Sequence, residues 1–253
     1  LPFSRALSRG SSGSDVLIAQ AFLIRTAPRT NATIRAEDGT FGPETAAAAA
    51  DFRARRGLPP GDALDAAALG ELLRAGAADG YRDDGRPASA RGGQWLYKVR
   101  VRVWANRSVE DHGATLEDRA GNTLLTFVAR AHGKPGRNQF STDGDTPTGL
   151  FALDFNSPEP DPLSYGPFPI NRAVSGLARA PGALRTNAEL LLNNGIRSGI
   201  LLHTGGWNQT LGWHPPEPMP NSEGCIHSWP QFIRRIAQIL PTLGVKMRKN
   251  PDS

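Results

Sequence analysis

Apolar positions change period twice along the 253-residue chain. From Asp15 they recur at helical spacing, with Val16, Leu17, Ala19, Phe22 and Leu23 on one face. Pro43 opens an alanine-rich helix that ends near Gly57, and Asp65 caps a third helix that turns Leu69, Leu72 and Leu73 inward before Gly76 stops it. The period then drops to two. Trp95, Tyr97, Val99, Val101 and Val103 alternate with polar partners between Gln94 and Trp104, and a second strand is predicted from Thr123 to Ala131. The apolar run Gly199-Ile200-Leu201-Leu202 predicts a buried strand. Near the C-terminus the helical period returns in Phe232, Ile233, Ile236, Ile239 and Leu240, with Ser228 expected as N-cap and Gln231 three residues on as its capping-box partner.

This order of elements predicts an α+β chain: a small N-terminal three-helix domain over residues 8–75, a polar Gly/Asp/Arg-rich linker over 76–93, and a mostly-β, sandwich-like domain over 94–250. Residues 156–198 are rich in Pro, Asn, Gly and Arg, with a helical patch near 187–193. A connection of that length between strands is expected to act as a lid or binding loop.

The chemistry concentrates at Asn221-Ser222-Glu223-Gly224-Cys225-Ile226-His227, which holds the single cysteine. A lone cysteine is as often inert core filler as a nucleophile. Here His203 stands at the end of the apolar strand, followed by Thr204-Gly205-Gly206. A thiol titrating near 8.5 needs an imidazole of this kind to lower its pKa or take its proton. Gly224 permits φ > 0 and would leave the amides of Gly224 and Cys225 to face an oxyanion. Cys225 is expected in a loop just before a helix N-terminus, whose dipole favours thiolate.

His203-Thr204-Gly205 followed by Ser222-x-Gly224-Cys225-Ile226 resembles the signature of the L,D-transpeptidase (YkuD-like) catalytic domain, and Thr146-Pro147-Thr148-Gly149-Leu150-Phe151 resembles a second signature of that family. The resemblance implies acyl transfer through a thioester on Cys225, with His203 as base and then acid, the Thr204 carbonyl as its orienter, and the Gly224 region as oxyanion hole. Ser222, His227, Trp207, Trp213 and Arg197 are the candidate substrate-binding residues. The sequence departs from the family at Glu223, where His is usual, and at His227, where Arg is usual. An anionic Glu223 turned inward would oppose thiolate formation. Upstream, Gln20, Asp38-Gly39-x-Phe41-Gly42-Pro43-x-Thr45, Phe52, Gly57-Leu58, Gly61, Asp65 and Leu72 resemble the three-helix peptidoglycan-binding domain.

Composition narrows the setting. With 39% hydrophobic and 21% charged residues the chain has the make-up of a soluble globular protein, and no apolar run is long enough to span a membrane. No signal peptide is visible and residue 1 is Leu, so a leader is expected to have been removed. A net charge of +5 suits an anionic partner, but the arginines are dispersed and do not interleave with aromatics, which argues against nucleic acid. Cys225, His227, His214 and His203 make only a weak zinc pattern, so neither metal nor cofactor is expected. Asn31, Asn106 and Asn208 head N-x-Ser/Thr sequons and are candidate glycosylation sites. Two functions follow: a secreted or cell-envelope enzyme acting on peptidoglycan or a related polymer, as transpeptidase or as hydrolase, or a non-catalytic extracellular structural or glycan-binding protein with an assembly partner.

Overall fold

The computed structural model describes residues 2–28, 34, 36–104, 112–204 and 219–249. The chain packs as two compact units. The first comprises Leu1–Tyr81 together with Thr148–Leu150 and Gly176–Ile196. Its helices α1 (Ser14–Thr26), α2 (Pro43–Arg55) and α3 (Ala66–Gly76) fall where the periodicity predicts them. Val16, Phe22, Phe41, Phe52, Leu64 and Leu72 are fully buried among them. Asp65 caps α3 through its side chain, which accepts from the Ala68 N–H at 2.9 Å. Buried Gln20 fixes the turn before α2: its amide donates to Asp38 Oδ1 (2.8 Å), the Thr40 carbonyl and Thr45 Oγ1 (both 3.0 Å), and its Oε1 accepts from the Gly39 N–H. The polar residues Gln20, Asp38 and Thr45 of this stretch are therefore turn fasteners.

The second unit holds Arg82–Pro147, Phe151–Ser175 and Arg197–Ser253. The chain's strands are β1 (Tyr97–Val101), β2 (His112–Asp118), β3 (Thr123–Arg130), β4 (Leu150–Asn156), β5 (Ile170–Leu177), β6 (Leu201–His203) and β7 (Ile226–Ser228). They form one seven-stranded mixed sheet in the order β1-β2-β3-β7-β6-β5-β4. The β3–β7 and β5–β6 pairs are antiparallel and β6–β7 is parallel. Helix α6 (Pro230–Ile239) lays Ile233, Ile236 and Ile239 against Ala114, Leu116, Phe127, Ala129, Phe155 and Leu202, which makes the core on one sheet face.

Three sequence expectations change. Strands β2 and β5 were not predicted; β5 occupies part of the 156–198 stretch, which also contains a single helical turn α4 (Pro162–Tyr165) and helix α5 (Asn187–Leu192). Strand β1 is shorter than the predicted 94–104. Ser228 does not cap α6: it belongs to β7, its Oγ donates to the Val128 carbonyl at 2.6 Å, and Trp229 takes the N-cap position without a side-chain capping bond. A strand thus stands between Cys225 and the helix, and the helix dipole cannot be credited with activating the thiol.

Candidate active site

The ladder sets the site. His203 on β6 lies opposite His227 on β7, and His227 lies opposite Arg130 on β3. Residues paired across a ladder share a face, so Arg130, His227 and His203 form a row on the face away from α6, and Cys225, two residues before His227, points the same way. The His203 and His227 rings meet edge to face with centroids 4.7 Å apart, and the Tyr165 ring from α4 lies 5.4 Å from His203. Tyr165 also packs with Ile170 and Leu201 around Cys225, which is 9% exposed.

The resting thiol is neutral. Cys225 Sγ donates to the Gly199 carbonyl at 3.2 Å. Burial pushes its pKa up to about 11, against the pull of the Leu201 backbone and the Arg197 cation. Burial likewise drives His203 down to about 3, with His227 adding to the shift and the Tyr165 backbone opposing it. His227 falls to about 4, again chiefly by burial, although its Nδ1–H donates to the Pro220 carbonyl at 3.0 Å. His203 Nδ1 has no hydrogen-bond partner among the described residues. The Tyr165 backbone also meets the His203 ring.

The loop carrying Cys225 is fastened on every side. Ser222 N–H donates to the His132 carbonyl (2.9 Å), and Ser222 Oγ donates to the Cys225 carbonyl (2.7 Å) while accepting the Gly224 N–H (3.0 Å). The Gly224 amide, expected in an oxyanion hole, is committed to Ser222. Thr146 Oγ1 donates to the Gly224 carbonyl at 2.9 Å, so the first residue of the Thr-Pro-x-Gly stretch reaches across to the nucleophile loop. The sequence marks that stretch as a family signature but assigns Thr146 no contact with the Cys225 loop.

Arg197 is the deepest fastener. Its Nη1 donates to the carbonyls of Gln139 (2.7 Å) and Ser141 (2.8 Å), and its Nη2 to those of Gly144 (3.1 Å) and Glu223 (3.3 Å). Backbone carbonyls take up both terminal amino groups of this buried guanidinium, so Arg197 orders the loop, whereas it was expected to bind substrate. Ser222 is likewise engaged inside the loop. Gly224 has φ 112°, and a Cβ there would come within 2.0 Å of Arg197 Nη2. Glu223 turns outward, with its carboxylate 2.8 Å from Lys134 Nζ. The carboxylate does not point inward, although its charge still adds a smaller upward push on the Cys225 thiol than burial does.

Trp207, Trp213, His214, Asn31, Asn106 and Asn208 lie outside the described residues. Among the described residues no group of three His, Cys, Asp or Glu side chains is placed to hold a metal ion, and no helix is long and apolar enough to cross a membrane. Arg130, Tyr165 and Thr146 are site residues that sequence reasoning did not single out. Of these only Thr146 lay within a recognised motif.

No curated protein matches the chain. Among solved structures it is similar to a fused Zn-dependent amidase/peptidase/peptidoglycan-binding domain-containing protein from Clostridium acetobutylicum, at 13% identity over 92% of this chain and 94% of that one, TM-score 0.25. It is also similar to an L,D-transpeptidase (residues 123–326) from Xylanimonas cellulosilytica, at 16% identity over 99% of this chain and all of that one, TM-score 0.26. The family model of the L,D-transpeptidase catalytic domain, YkuD, matches residues 109–246, more than half of the chain and the whole of the Cys225 loop with its His203 strand. The chain belongs to the L,D-transpeptidase catalytic domain (YkuD) family.

Proposed function

We propose that this protein is a cysteine-dependent L,D-transpeptidase that acts on peptidoglycan stem peptides at the cell envelope or outside the cell. The observation that carries the reading is the placement of Cys225 and His203 on one sheet face, with His203 Nδ1 buried and without a partner. With Nδ1 unoccupied, the imidazole proton belongs on Nε2 and Nδ1 presents a lone pair.

The resting arrangement holds the thiol away from that lone pair, on the Gly199 carbonyl. When a donor peptide enters, the Cys225 S–H turns from Gly199 and passes its proton to His203 Nδ1, while Sγ bonds to the carbonyl carbon of an L-configured residue. The resulting oxyanion is expected to meet the Cys225 backbone amide. Collapse breaks the C–N bond, and the leaving amine takes the proton back from His203. An amine acceptor, or water in a hydrolase of the same fold, then resolves the thioester with His203 again as base. The first unit, resembling a peptidoglycan-binding domain, is proposed to hold the chain on its polymer.

The buried, neutral thiol specifically favours a second reading, a non-catalytic wall-binding or structural protein that keeps the fold. One experiment separates them. Wild type, Cys225→Ala and His203→Ala are incubated with a tetrapeptide donor and followed by intact mass, with and without an amine acceptor. The enzyme reading expects a hydroxylamine-labile adduct lacking the donor's last residue in wild type and none in Cys225→Ala. Absence of adduct and of product in wild type removes the enzymatic reading.

A further inference from the structure

Two buried guanidiniums flank the Cys225 loop, and they differ in what they have left to give. Arg197, 7% exposed, has both terminal amino groups taken up by backbone carbonyls. Arg130 is also 7% exposed, but its Nε (2.8 Å) and Nη2 both donate to one atom, Asn221 Oδ1, and its Nη1 is buried with no acceptor among the described residues. No carboxylate of the described residues forms an ion pair with it: Glu223 is engaged by Lys134, and Asp145 accepts from the Gly133 N–H and meets His132 Nδ1. A buried cation with neither counter-charge nor a full set of acceptors is costly, and such groups mark places where another molecule supplies the missing acceptor.

The position is informative. Arg130 stands directly opposite His227, with His203 on the other side of His227. Opposed residues lie about 5 Å apart and alternate residues about 6.6 Å along a strand, so the Arg130 and Cys225 Cα atoms are roughly 8 Å apart. An extended peptide advances about 3.3–3.6 Å per residue, so a group held by Arg130 is on the order of two residues from a carbonyl at Cys225.

We propose that Arg130 is the anchor for a carboxylate of the peptide substrate, its unpartnered Nη1 donating to that carboxylate on the sheet face that carries Cys225, His203 and His227. Asn221 holds the guanidinium in place, which leaves one edge of the fork for the ligand. The inference rests on the transpeptidase reading for the identity of the substrate as a peptide, but the carboxylate site itself does not require turnover. A peptide offers two sources of this chemistry, its C-terminus and an acidic side chain, and both are covered by the test.

The full chain carrying Cys225→Ala is titrated calorimetrically with a stem tetrapeptide as the free acid, as its C-terminal amide, and with its side-chain carboxylates amidated. The same three peptides are titrated into Cys225→Ala/Arg130→Met. A charge-assisted bond to a buried cation is expected to favour the free acid over one of the two amides by about 10–100-fold, and Arg130→Met is expected to bring that ratio to within about threefold while leaving the amide's affinity unchanged. Whichever amidation removes the preference identifies the source. With Cys225 restored, Arg130→Met should raise KM for the acid donor by the same factor and leave kcat within about threefold. If Arg130→Met does not fold, Asn221→Asp places a permanent carboxylate on the guanidinium, and the same loss of discrimination is expected with Arg130 intact.

Equal weakening of acid and amide would show a merely structural arginine and overturn the proposal, as would a preference that survives both variants or a failure to bind any of the peptides. The two readings fail separately. Turnover that is indifferent to Arg130 removes the carboxylate site and leaves the enzyme, whereas Arg130-dependent discrimination without turnover removes the enzyme and leaves the site.

Discussion

At Cys225 burial works against the Leu201 backbone and the Arg197 cation, and burial prevails, leaving the thiol pushed up to about 11. Alkylation of the resting protein by iodoacetamide at pH 8 should therefore run at least ~10-fold slower than that of a free thiol titrating near 8.5, and should climb as pH rises above 9. Tyr165 packs over the thiol, so Tyr165→Ala should bring the apparent pKa down and speed the reaction. Rapid wild-type alkylation with an apparent pKa below 8.5 would contradict the closed geometry. His203 and His227 supply a second test at this scale. Both are held neutral, with folded-state pKa values of about 3 and about 4. A depressed histidine stabilises the fold above its unfolded pKa near 6.5, and that stability is lost as pH falls toward the folded value. The chain should lose on the order of 1–2 kcal/mol per histidine between pH 7 and 5 in urea melts, and His227→Gln should flatten that slope. Cys225 and His203 were legible in the sequence because a local pattern surrounds each. Arg130 was not, because its importance comes from the residue paired across from it on another strand.

At the scale of elements, the nucleophile loop is held in shape by a few bonds whose loss can be separated from loss of chemistry. Thr146→Val removes the donor to the Gly224 carbonyl, and a single buried hydrogen bond of this kind contributes about 1 kcal/mol. The variant should be destabilised by roughly that amount in urea unfolding, and Thr146→Ser should restore it. Gly224→Ala should be worse. It combines a positive φ with a methyl driven onto Arg197, and a cost of ~2–4 kcal/mol together with a disordered Cys225 loop is expected from the same melts. Some elements were hidden from the sequence for related reasons. Strand β5 carries Asn171 and Arg172, which break an apolar pattern, yet Asn171 is buried and Arg172 is half-buried. Asn171 Oδ1 accepts the Tyr97 hydroxyl and Arg172 pairs with Glu159. Ser228 resembled a helix cap by local sequence, but the β3–β7 pairing drew it into the sheet. By contrast α1, α2, α3 and α6 were legible because burial of one helical face is written directly into residue spacing.

At the scale of the whole molecule, the N-terminal unit is more than its three helices. Arg25 of α1 donates through Nη1 to the Gly76 carbonyl (3.0 Å) and to Asn187 Oδ1 (2.8 Å), and through Nη2 to the Arg185 carbonyl (2.9 Å). Asp79 Oδ2 accepts from Thr148 Oγ1 and from the Asn187 N–H, both at 2.8 Å. Residues 148–150 and 176–196, distant in sequence, thus complete the polar seam at the end of α1 and α3. A boundary drawn at residue 75 from composition cuts this seam, because nothing in the local sequence of 176–196 announces that its partner is Arg25. A fragment of residues 1–81 retains the apolar core of Phe22, Phe41, Phe52 and Leu72 but leaves Arg25 with the Gly76 carbonyl alone and Asp79 without these two donors. It should fold, yet with a lower melting temperature than the same unit in the full chain, and amide exchange should accelerate at the C-terminal end of α1 while the α2 amides keep their protection. Arg25→Met should discriminate further. In the full chain it removes three bonds and exposes the C-terminal turn of α1 to exchange, whereas in the fragment it should have little effect, since most of those bonds are already gone. Equal protection of α1 in fragment and full chain would mean that the three helices stand alone and that the 176–196 segment merely rests on them.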